Sequence, residues 1–123
     1  MASQQAMDNY LDLIAMRHAV RYGEQPDSPH LIQRWLVLEE LVFPRSCNCV
    51  RRRIYRREYD LLLEAIADEL VPESWRQLCM DYSHHPLNGL SSIATKPHQR
   101  RSVNRLQWQL RTIASYSLEY SAG

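Results

Sequence analysis

The chain has 123 residues, enough for one domain that buries roughly two thirds of its unfolded surface without disulfide or metal staples. Charged residues make up 24% and the apolar set 45%, which excludes wholesale disorder, and only three glycines accompany long periodic segments, which argues against a sandwich or barrel. A net charge of +1 excludes a general polyanion binder, so any charge-driven recognition has to come from local layout.

The amino-terminal stretch MASQQAMDNYLDLIAMRHAV lacks a basic start and a clean apolar run, so no signal peptide is expected. No segment approaches the roughly 20 apolar residues of a membrane span. Three cysteines, an odd number without a secretion signal, predict reduced thiols in the cytoplasm.

Residues 4–21 predict a first helix with Met7, Leu11, Ile14 and His18 on its apolar face and Tyr10, Leu13 and Val20 widening it. Asp8 and Asp12 come early and Arg17 and Arg21 late, in accord with the helix dipole, and Gly23 is the natural stop. A turn-rich GEQPDSP linker follows. Ser28 as N-cap and Pro29 in the first helical position then open a second helix over 29–43. Its apolar side carries Leu31, Trp35, Leu38 and Val42, with Ile32 and Leu36 beside them, and Glu39 and Glu40 sit late, against the dipole. Pro44 ends it.

The next helix, about 47–70, is the one the others are expected to surround. RSCNC is a short connection or its first turn, with Ser46 as the cap. Val50, Ile54, Leu61 and Ala65 fall on one stripe, and Tyr55, Tyr59, Leu62, Ile66 and Leu70 on a neighbouring one. Arg53, Arg56, Arg57, Asp60 and Glu64 gather on the wet side, where Arg56 and Arg57 can each pair with Asp60. Arginines crowd its first half and acids its second, the reverse of what the dipole favours by roughly 0.3 to 1 kcal/mol per exposed charge. Either an anionic partner rewards that arrangement or it is a tolerated surface cost.

Beyond Val71 and Pro72, a short helix over 73–82 turns Trp75, Leu78, Cys79 and Tyr82 inward. PLNGLSSIA supplies Leu87, Leu90 and Ile93 as a small separate segment. Pro97 starts a last helix, 97–116, with Val103, Leu106, Leu110 and Ile113 at core spacing. The whole is expected to be an all-α, four-to-five-helix bundle, a single domain over 1–123, with the helix at 47–70 packed against those at 29–43 and 97–116.

Residues 45–57 and 96–111 hold eleven of the fifteen basic residues and no acid, whereas residues 58–81 hold seven acids against Arg76 alone. Fourteen of those fifteen are arginine, a residue suited to bidentate anion recognition, though a GC-rich genome produces the same bias. The candidate partner- or anion-binding residues are Arg51, Arg52, Arg53, Arg56, Arg57, Arg100, Arg101 and Arg105. Tyr55, Tyr59 and Trp108 lie among them as base-stacking candidates, but both tyrosines also sit on a core arc.

Cys47, Cys49, Cys79 and His84 are candidate metal ligands, with His85 and His98 in reserve. Their spacing is poor, because a C-x-C pair on a helix points its thiols about 200° apart. Cys47 or Cys49, beside arginines and a helix start, is also a candidate redox thiol. Asp81 with His84 or His85 could orient an imidazole, yet no nucleophile or phosphate-binding glycine loop accompanies them. Catalysis is therefore not expected, and no cofactor is required.

RREYDLLL at 56–63 and WRQLCMDYSHHPLNGL at 75–90 resemble a small proteobacterial family, the Fur-associated proteins, encoded near iron-regulated genes. The resemblance covers the second half of the chain and implies an iron-responsive bacterial context. It carries no catalytic or binding residue. The expected function is a cytoplasmic adaptor or regulatory protein that binds another protein or a second copy of itself, away from membranes. The alternatives are nucleic-acid binding through the arginine blocks and iron or zinc handling through the cysteines.

Overall fold

The computed structural model describes residues 2–44 and 47–119, so the expected cap at Ser46 lies outside the described residues. The fold is all-α: α1 (Ala2–Tyr22), α2 (Leu31–Val42), α3 (Asn48–Ala67), α4 (Glu73–Tyr82), α5 (His84–Ser92) and α6 (Pro97–Ala114), closed by a π-helical turn, Ser115–Glu119. Only Ser83 parts α4 from α5.

The helix ends follow local chemistry. Gly23, at φ 60°, takes the left-handed conformation that stops α1, and the Glu24 N–H reaches back to the Ala19 carbonyl at 3.1 Å. Pro29 belongs to a turn, Leu31 N–H to Ser28 O at 3.1 Å, and α2 starts at Leu31, two residues later than Ser28 and Pro29 suggest. Cys47, in extended backbone, occupies the cap position of α3. At its other end α3 stops at Ala67, because the Asp68 carboxylate accepts the Leu70 N–H at 3.0 Å and turns the chain. Leu70, expected on the core arc, is consequently 94% exposed.

α5 is a helix where proline and glycine read as breaks. Pro86 falls in its first turn, where no N–H is needed for the helical ladder, and a later Gly89 lets α5 lie against α3. A Cβ on Gly89 would stand 2.5 Å from the Tyr55 ring. In α6, Pro97 takes the first helical position, and the Gln99 side chain accepts the Thr95 and Lys96 N–H groups at 3.1 Å each.

Packing centres on α3, which meets α1, α4, α5 and α6, with Ile54, Tyr59, Leu62, Ala65 and Ile66 buried. α2 packs on α1, in an antiparallel hairpin where Tyr10 meets Phe43 edge to face and Arg17 meets Glu39; the expected α2–α3 packing is not one of the main contacts, because α1, α4, α5 and α6 take the faces of α3 instead. The core face of α1 is Leu13, Ala19 and Val20. Met7, Leu11 and Ile14, expected to point inward, are exposed.

Polar groups lock this packing from inside. Glu39 is fully buried, accepting Arg17 Nε at 2.6 Å and Trp35 Nε1 at 3.2 Å. Trp75 Nε1 donates to the Val20 carbonyl at 2.8 Å, tying α4 to α1. Buried Arg76 reaches the Val71 and Ser117 carbonyls, both at 3.0 Å, and so pins the carboxy-terminal turn. Arg21 bonds Asp68 at 2.9 Å, holding that carboxyl below its usual range with help from the Leu70 N–H.

Two outcomes follow. Gly89→Ala should destabilise by about 1 to 3 kcal/mol in urea unfolding, despite alanine's better helix propensity, and the loss should disappear in a Tyr55→Ala background. Arg17→Met strands the Glu39 carboxylate and should cost about 3 kcal/mol, most of it recovered in the Arg17→Met/Glu39→Leu pair.

Candidate functional site

Between the first halves of α3 and α6 lies an open groove of about 700 Å³. α3 is wet on this side because Arg53, Arg56 and Arg57 cannot be buried there, while Ile54 and Tyr59 face the core. α6 presents a mixed stripe, His98, Gln99 and Ser102 above Val103 and Leu106. Leu90 and Ala94, from α5 and its exit, complete the bottom. The result is an apolar floor of Leu90, Ala94, Val103 and Leu106 under a rim of Arg52, Arg53, Arg56 and Arg57.

Among the described residues Asp60 is the only acid lining the groove, and it is taken by Arg56 Nε at 3.0 Å, the expected i,i+4 pair. Arg57 instead sits 5.8 Å above the Phe43 ring, so its expected pairing with Asp60 gives way to a cation–π contact. The groove therefore keeps a strongly positive lip.

The two arginine blocks come together only in part. α3 contributes four of its arginines to the groove. Arg51, Arg100, Arg101 and Arg105 are exposed outside it, with Arg100 Nη2 turned to the Thr95 carbonyl at 2.8 Å. At 100° per residue Arg101 and Arg105 share the outer stripe of α6 with Trp108, which is 67% exposed.

The base-stacking tyrosines are unavailable. Tyr59 is fully buried, its hydroxyl donating to the Leu106 carbonyl at 2.8 Å beside the Gln109 amide oxygen at 3.1 Å, and burial pushes its pKa up to about 12. Tyr55 packs against Gly89 and edge-on to His85, centroids 6.3 Å apart.

The candidate metal ligands are dispersed. Cys47 caps α3 and is exposed, Cys49 is exposed at the groove, and Cys79 is buried in the core, where burial pushes its thiol up to about 12. His84 Nδ1 lies on the Asp81 main-chain oxygen, a backbone contact rather than the suggested pairing of His84 with the Asp81 carboxylate. Among the described residues, no three His, Cys, Asp or Glu side chains stand close enough to hold a metal ion, and no helix is long and apolar enough to cross a membrane.

Sequence reasoning missed the floor of the groove and two buried acids. Glu58 is fully buried although its position, in the middle of the apolar arc of α3, was visible; Glu39 likewise lies on the apolar side of α2. No family model, curated protein or solved structure matches the chain.

Thiol titration with Ellman's reagent checks this placement. Cys47 and Cys49 should react quickly in the native protein, and Cys79 only at the rate of unfolding.

Proposed function

We propose that the protein is a small binding module, without chemistry of its own, whose α3–α6 groove takes an acidic segment of a partner protein. The observation that carries this reading is the pairing of four arginines with an apolar floor in one groove. A carboxylate-rich amphipathic segment satisfies both at once, its apolar side chains on Leu90, Val103 and Leu106 and its acids on Arg52, Arg53 and Arg56. The arginines at the amino-terminal end of α3, unfavourable there for the free helix, then have a reason to be present. Such a module would serve as a cytoplasmic adaptor or regulator, and the Fur-associated resemblance adds to it only an iron-responsive bacterial setting.

A nucleic-acid reading rests on a different surface, the outer stripe of Arg101, Arg105 and Trp108. Fluorescence anisotropy separates the two. The probe is a labelled amphipathic peptide of about 18 residues, glutamate on one face and leucine at i, i+3, i+4 and i+7 on the other. Arg53→Glu/Arg56→Glu should weaken its binding at least tenfold, about 1.4 kcal/mol, while Arg101→Gln/Arg105→Gln leaves it unchanged. Equal binding by the charge-reversed protein would sink the groove reading. A single-stranded oligonucleotide bound in preference to the peptide, and lost with Trp108→Ala, would replace it with the second.

A further inference from the structure

α1 is apolar on two sides, and the described residues cover only one of them. Leu13 and Val20 go to the core, whereas Met7 is 54% exposed, Leu11 55%, Ile14 44% and Tyr10 42%. Met7, Leu11, Ile14 and His18 follow the 4-3-4 spacing of a coiled-coil seam, with Tyr10 flanking it, roughly 150° around the helix from buried Leu13 and Val20. The first two turns of α1 also run past the end of α2, since Tyr10 already meets Phe43, and residues 3–8 are all exposed. A lone helical overhang that points apolar residues outward gains nothing from the core that stabilises the rest.

We infer that this face of α1 is a self-association seam on which a second copy of α1 packs antiparallel, about a twofold axis between Leu11 and Ile14. The 4-3-4 spacing reads the same in both directions, as a twofold requires, and sets Leu11 against the partner's Ile14 and Met7 against the partner's His18. No charge opposes itself across the seam. Arg17 is turned in to Glu39, Arg21 is held by Glu64 and Asp68, His18 on the seam is paired with Glu24 of its own copy, and Asp8 lies to one side, taking the Gln4 amide. Size agrees as well. The four apolar side chains expose on the order of 400 Å² per copy, the scale that marks an interaction surface. Two such patches with their polar flanks reach the roughly 1,000 Å² of a specific interface. The inference is independent of the groove, which lies on α3 and α6.

Sedimentation equilibrium of the full chain at about 1 to 100 μM is the test, because a seam of this size should dimerise in the micromolar range. The wild type should fit a monomer–dimer equilibrium, and Leu11→Glu/Ile14→Glu should be monomeric with unchanged helical circular dichroism and with the melting temperature of wild type diluted below its dimer dissociation constant, its substitutions being at exposed positions. A monomeric wild type, or a dimer that survives this variant, overturns the inference. Orientation is read with a spin label at Ser3→Cys in a Cys47→Ser/Cys49→Ser background. Antiparallel packing sets the two labels about 30 Å apart along the seam. A separation near 10 Å would mean parallel helices and overturn the twofold register.

Discussion

Everything in this molecule depends on α3 being apolar enough to be surrounded and too rich in arginine to be enclosed. Ile54, Leu62, Ala65 and Ile66 draw α1, α4, α5 and α6 around them, and the second half of the helix is well covered. The first half carries Arg51, Arg52, Arg53, Arg56 and Arg57, whose charged heads have to stay in water. The neighbours can close on the Tyr55 and Tyr59 side only, and the gap left between α3 and α6 is the groove. The candidate site is thus a consequence of the same conflict that shapes the fold.

Buried polar groups then determine how the surrounding helices meet. Tyr59 bonds a carbonyl of α6, Trp75 a carbonyl of α1, and Arg76 carbonyls of both the α3–α4 turn and the carboxy-terminal turn. Each of these donors would be costly to leave unpaired in the interior, so each sets the register of two elements that hydrophobic contact alone would let slide. Glu39 does the same for the α1–α2 hairpin, where Arg17 and Trp35 converge on its carboxylate. An acid at the late end of a helix, unfavourable by the dipole, makes sense once it is seen as an internal anchor rather than a surface charge.

The site was partly legible beforehand. The arginine run of α3 was visible, as was the wet side on which Arg53, Arg56, Arg57, Asp60 and Glu64 lie, because a 100° step is a local property of the helix. The floor could not be found that way: Leu90, Ala94, Val103 and Leu106 come from two other elements, and nothing in their spacing says that they face the arginines. The α6 basic block shows the converse. Its arginines look equivalent to those of α3 on paper, yet Arg101 and Arg105 point away, since Val103, Leu106 and Leu110 claim the inward stripe.

The sequence by itself determined the all-α class, the α4 span Glu73–Tyr82, the stop at Gly23, the start of α6 at Pro97 and the inward stripe of α6, because periodicity and capping act within a few residues. Tertiary structure alone decided which of the two apolar sides of α1 is covered, that Glu39 and Glu58 go inside, and that Trp108 stays out while Trp35 and Trp75 are buried. It also decided that Gly89 is a contact with Tyr55 rather than a break. These outcomes depend on which helix lies opposite, and the distance along the chain between α1 and α4, or between α3 and α6, hides that from any local pattern.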